Sequence, residues 1–238
     1  MLKKLLGILG RPKAILTPPP TPKEMKEIGN YRVHFQQAVS FTESLGFDAP
    51  KINWINHDVL GTDGGFFQRA GAAANLMDFS GSAGQCLKWC HYIRPYIEKE
   101  LEVPVWLTIG QLWAFDKIVF DPSWEDFRKW SKSGICLSEL IAQGRTGVNL
   151  HAWLTVATGE IIEPTLMSSM ALVQPKEADS LNGAITWGRD PGLITNHRYY
   201  PMVAGDAIAE AINQNPQLPL LAKCREDLSE IPMYFYSN

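Results

Sequence analysis

A chain of 238 residues, 45% hydrophobic and 20% charged, has the composition of an ordinary globular protein, and its length suits one large domain or a domain with an appended subdomain. The net charge of −3 argues against a nucleic-acid surface, and no apolar run is long enough to span a bilayer. Four cysteines, none in a CxxC pair, argue against a disulfide framework, and the eight Trp are read first as core residues.

The opening MLKKLLGILGRPK starts like a signal peptide. Gly7 and Gly10 interrupt its apolar run, Arg11 ends it, and no small-residue cleavage site follows, so it reads as a short amphipathic or flexible leader. Thr17–Pro22 (TPPPTP) is an extended linker. The expected organisation is a leader and linker over 1–22 and a single domain over 23–238, beginning with a helical region.

Pro22 to Gly46 carries an imperfect helical stripe (Met25, Ile28, Val33, Phe35, Val39, Phe41, Leu45), with a break at Gly29-Asn30. Turn signals at Gly61 and Asp63-Gly64-Gly65 make the next stretch a loop or capping segment with room for a short helix near Phe66; His57-Asp58 reads first as an incidental exposed pair, with a catalytic role as the alternative, and Ala70 to Asp78 reads as a short helix. Ser80 to Gly84 is a Gly/Ser turn, after which a helix starts near Gln85 with Ser82 as its cap, and Pro95 should kink or divide it.

Cys86 therefore falls in a helix's first turn, where free N–H groups and the helix dipole favour a thiolate and offer an oxyanion site. Cys90, one turn deeper, reads as structural. Cys86, Cys90 and His91 do not have a recognised zinc spacing, and no metal or other cofactor is expected.

Val103 to Phe120 reads as two strands with a turn near Phe115-Asp116. Ser123 and Asp126 approximate a capping box for a helix over Trp124–Lys132, and Ser138–Gln143 is a shorter helix closed by Gly144. Asn149 to Leu166 (NLHAWLTVATGEIIEPTL) reads as a β-hairpin with Thr158-Gly159 in its turn. Strand alternation puts Leu150, Ala152, Leu154 and Val156 on one face and Asn149, His151, Trp153 and Thr155 on the other. Met167–Val173 reads as a third strand, Pro175–Asn182 as a polar loop, Ile194–Ala204 as a late strand with Pro201 at an edge, and Asp206–Asn213 as a final helix. These elements make an α+β fold.

Cys86, His151 and Glu163 thus follow one another as a helix-start thiol, a strand imidazole and an acid twelve residues beyond it. A two-residue turn at Thr158-Gly159 puts Glu163 on the face opposite His151. A three-residue loop, Thr158 to Glu160, restores the face but sets Glu163 across from Thr155. Gln111 and Asn149 are the alternatives for a third member. The competing bland reading is a core His and an inert buried thiol.

The order Cys, His, acid, with the nucleophile at a helix start and the other two on a sheet, resembles the papain-like cysteine hydrolase superfamily. HAWLT…GEIIEPT is similar to the His-and-acid strands of transglutaminase-like proteins, and the step from His151 to Glu163 resembles NlpC/P60 cell-wall peptidases. The chain departs from the latter at the nucleophile, where Gln85-Cys86-Leu87-Lys88 replaces Asp-Cys-Ser-Gly, and at Glu163, where His is common. The resemblance implies a papain-like core in which N-terminal helices, including the nucleophile helix, pack on an antiparallel sheet.

In that reading Cys86 attacks an amide carbonyl, His151 moves the proton, Glu163 orients the imidazole, and the N–H of Cys86, with help from Gln85, holds the oxyanion. The implied substrate is a peptidoglycan stem peptide. An enzyme made in the cytoplasm without an export signal would reach it as a toxin, delivered by a secretion machine to the periplasm of a target cell and matched by an immunity protein. The alternatives are a protein-modifying peptidase, deamidase or transglutaminase, and a binding module that keeps the fold without the chemistry.

Overall fold

The computed structural model describes residues 17–145, 147–189 and 196–229; the leader through residue 16 lies outside them. The linker Thr17–Pro22 has no regular structure and is partly covered, with the Pro19 carbonyl accepting a hydrogen bond from Trp124 Nε1 at 2.9 Å. The described residues form a mixed α+β structure built on an antiparallel sheet.

The sheet contains β1 (Val105–Ala114), β2 (Lys117–Phe120), β3 (His151–Val156), β4 (Ile161–Glu163), β5 (Thr186–Gly188) and β6 (His197–Ala204). β1 lies at its centre, antiparallel to β2, β3 and β6. β4 pairs with β3 and β5 with β4. The β1–β2 hairpin turns on Phe115 and Asp116, both at positive φ (49° and 60°), the geometry of a tight two-residue turn whose twist matches the strands. Gly110 sits where β6 slips register: a Cβ there would stand 2.1 Å from the Tyr200 carbonyl oxygen, so no side chain fits without moving backbone.

Helices cover both faces. α1 (Tyr31–Ser44) starts at Asn30, whose side chain accepts from the Arg32 N–H, so the break expected at Gly29-Asn30 is the helix's beginning. Its Phe35 and Val39 pack against Ala204. Tyr31 Oη lies 2.5 Å from Thr155 Oγ1 and accepts from Trp153 Nε1 at 2.7 Å. On the other face α2 (Gly65–Ala73) and α3 (Cys86–Leu101) join Ile109, Ala152, Leu154 and Val156 in the main core. α4 (Trp124–Ser133), with the expected capping box at Ser123 and Asp126, and α5 (Leu137–Ala142) extend that core.

Several expectations change. α2 takes in the short helix read near Phe66 and only the first residues of the one expected over Ala70–Asp78, starting directly after Gly64, whose φ of 65° reverses the chain. Pro95 lies within α3 and does not divide it. Ser82 does not cap α3; it belongs to a 3₁₀ turn and its hydroxyl donates to the Pro164 carbonyl, while Gln85 takes the cap position. Met167–Val173 is no strand but α6 (Leu166–Val173), and a single turn, α7 (Ala178–Leu181), interrupts the polar loop. Alternation misleads at α6 because its start is held by a buried acid rather than by the periodicity of its own residues. β6 is the late strand, with Pro201 opposite Gly110 at the register slip, and α8 (Asp206–Ile212) follows.

Candidate active site

The nucleophile candidate is placed by α3. Cys86 is the first residue of that helix and is partly exposed. The first N–H groups of a helix have no partner within it, so they point out of its end beside this side chain. Gln85 does not add to them as expected: its backbone N–H donates to the Ser82 carbonyl at 3.1 Å and its side-chain amide to the Gly81 carbonyl at 3.1 Å. The backbone N–H of Cys86 is the donor left for an oxyanion. One turn deeper Cys90 is fully buried, and its Sγ donates to the Ala152 carbonyl at 3.5 Å. Burial, reinforced by the charge of Glu163, pushes the Cys90 thiol well above its ordinary range and keeps it neutral.

His151 and Glu163 come from the hairpin. The observed register pairs Leu154 with Ile162 and Thr155 with Ile161, and Val156 N–H donates to the Glu160 carbonyl. The loop is therefore Ala157 to Gly159, beginning one residue before either turn read from the sequence. Carrying the register on sets Glu163 beside Trp153, on the face of His151 and one diagonal step from it, a distance long side chains span. Glu163 Oε2 and His151 Nε2 are 2.5 Å apart, and both side chains are almost fully buried (0% and 3% exposed).

The other carboxylate oxygen of Glu163 accepts from the backbone N–H groups of Thr165 (2.9 Å) and Leu166 (3.0 Å) and from the Thr165 hydroxyl (3.0 Å). This carboxylate at once orients the imidazole and starts α6. The sequence reading missed the second role, although Pro164-Thr165 before an apolar run is a helix-start signal.

With Nε2 taken by Glu163, Nδ1 is the ring nitrogen left for sulfur, and Cys86 lies close enough to help hold the imidazole charged. Burial disfavours the imidazolium. The Glu163 carboxylate, the Cys86 contact and the hydrogen bond to Glu163 together outweigh burial and hold His151 well above its usual range. Glu163 is correspondingly held low: burial opposes its charge, but His151 and the Thr165 and Leu166 N–H groups favour it. The dyad is an ion pair at neutral pH.

Aromatic rings fix the imidazole plane. Phe120 stacks on it at 5.4 Å and 17°, and Trp153 lies at 6.1 Å and 24°. Phe120 is held at this rim by a reciprocal tie, Asp121 N–H to Asn149 Oδ1 (2.9 Å) and Asn149 Nδ2 to the Asp121 carbonyl (2.7 Å). Asn149 is thus occupied, and Gln111 donates to Asp121 Oδ1, so neither serves as the third member. A cleft of about 190 Å³ opens onto Cys86 and His151.

The remaining candidates lie apart from this site. Asp58 pairs with Arg189, and His57 is exposed. His91 Nδ1 is hydrogen-bonded to the Ala222 carbonyl at 2.8 Å. Among the described residues no group of three or more His, Cys, Asp or Glu is arranged to hold a metal ion. Trp89 and Trp153 are buried in the core.

No protein-family model, curated protein or solved structure matches this chain. Among the described residues no helix is long and apolar enough to cross a membrane.

Proposed function

We propose that the protein is a papain-like cysteine hydrolase that cleaves an amide bond through Cys86, His151 and Glu163. The observation that carries this reading is the imidazole held between a helix-start thiol and a buried carboxylate. A core histidine satisfied by backbone needs neither partner.

In this mechanism the Cys86 thiolate attacks the carbonyl carbon, and the developing oxyanion is held by the Cys86 N–H at the start of α3. The protonated His151 gives its Nδ1 proton to the leaving nitrogen as the C–N bond breaks, leaving a thioester on Sγ. Neutral His151 then removes a proton from water, whose oxygen attacks the thioester. The carboxylic acid leaves, and the proton returns to the thiolate–imidazole pair. Glu163 keeps Nε2 protonated throughout and the ring in its plane.

The wall-peptide substrate rests on the resemblance to NlpC/P60 peptidases alone, and so does delivery as an antibacterial toxin. The test is to incubate wild type and Cys86→Ala with purified peptidoglycan and with a panel of peptide amides, following new amines and the mass of the Cys86 acyl-enzyme. Wild type should release amine and the variant should not. The reading fails if Cys86 forms no acyl-enzyme with any amide and reacts with iodoacetamide no faster than the exposed Cys224.

A further inference from the structure

The cleft beside Cys86 has a chemical character of its own. Phe120, Val148, Leu150, Leu166 and Leu220 contribute its walls, and among the described residues no carboxylate lines it. Of the two cationic side chains that line it, His151 is paired with Glu163, and Lys88 is 2% exposed with its Nζ donating to the Asp227 carbonyl at 3.0 Å. A carboxylate placed here would lose water against an apolar wall, with both of these cations already engaged. The volume, about 190 Å³, exceeds that of a cavity of roughly 150 Å³ known to hold benzene, and is well below that of a pocket enclosing a whole drug-sized ligand.

The thiol and the N–H that would receive the scissile carbonyl both belong to the start of α3, and Gln85 and Leu87, which flank Cys86, line the same cleft. The acyl group on that carbonyl is within reach of the cleft. We propose that the cleft takes an apolar side chain about one aromatic ring in size, carried on the acyl half of the substrate. This rests on the hydrolase reading above and narrows it. It selects against a wall stem peptide whose acyl residue presents a free carboxylate at this point.

The experiment uses N-acetyl-Phe, N-acetyl-Gly and N-acetyl-Glu amides of one fluorogenic amine. Full desolvation of such a side chain corresponds to about a ten- to hundred-fold gain in kcat/KM for Phe over Gly, with Glu below Gly. In parallel, calorimetry measures binding of N-acetyl-Phe amide and N-acetyl-Glu amide to Cys86→Ala, which should retain the Phe ligand and not the Glu one. Leu220→Lys should reverse the order in both assays, an outcome a misfolded variant cannot produce.

Turnover with equal rates, or with Glu preferred by wild type, overturns the subsite and leaves the hydrolase standing. Selective binding to Cys86→Ala without turnover of any amide by wild type supports the subsite and removes the hydrolase. Absence of both selective binding and selective turnover overturns the subsite.

Discussion

At the scale of single residues the buried pair of His151 and Glu163 dominates. Its dependence on pH follows from the two shifts. His151 is raised above its ordinary 6.5, so its contribution to stability is complete below that value and fades as pH climbs through the raised one. Glu163 is lowered from 4.5, so its contribution is complete above that value and fades as pH falls through the depressed one. Both act fully between pH 4.5 and 6.5. Denaturant melts at pH 5.5 and 9.5 should show wild type losing stability at the alkaline end, whereas Glu163→Gln, with His151 no longer held charged, should lose much less. Glu163→Ala leaves the imidazole and the start of α6 without their acceptor and should cost about 3–5 kcal/mol at pH 5.5, read by the same melts. Equal alkaline losses in wild type and Glu163→Gln would count against the ion pair.

Among the elements, the hairpin carrying this pair is braced by α1 on the face that carries the pair. Tyr31 Oη joins Trp153 Nε1 and Thr155 Oγ1, and Thr155 Oγ1 lies 2.6 Å from Thr108 Oγ1 on β1. Tyr31→Phe removes the only acceptor given to the buried Trp153 N–H among the described residues and should cost about 1–3 kcal/mol in chemical denaturation. Because Trp153 lies beside His151, a fall in kcat with KM unchanged is expected on the amide panel. Gly110 is the corresponding point on β1. Gly110→Ala drives a Cβ into the Tyr200 carbonyl and should cost about 3 kcal/mol or more, or prevent folding, whereas Ser123→Ala at the distant cap of α4 should cost about 1 kcal/mol and leave catalysis unchanged.

For the whole molecule, the central strand β1 ties the layers together: it pairs with three strands, and α1 and α3 lie on opposite faces of the sheet. Hydrogen exchange should find the amides of β1, β3 and the middle of α3 opening only with global unfolding, and those of residues 48–64 opening locally and far sooner. Comparable rates in the two sets would contradict a single cooperative core around β1. Local patterns in the sequence were enough for much of this architecture. A thiol at a helix start, a capping box at Ser123, a hairpin around Thr158-Gly159 and the α+β class are set by neighbours a few residues apart, and such short-range signals survive without a fold. The order of Cys86, His151 and Glu163 named the partners, but the register that brings Glu163 onto the face of His151 was not legible, because it turns on which residues occupy the hairpin loop, and a one-residue change moves the carboxylate to the other face. α6 was misread for the same reason: the carboxylate that holds its first N–H groups is buried only once β3 and β4 have paired. Tertiary packing also decided that Gln85 turns to Gly81, that Phe120 lies flat on the imidazole, and that the space beside Cys86 is walled by apolar side chains drawn from distant parts of the chain. These are contacts between residues far apart in sequence, and long-range contacts leave no periodicity to read.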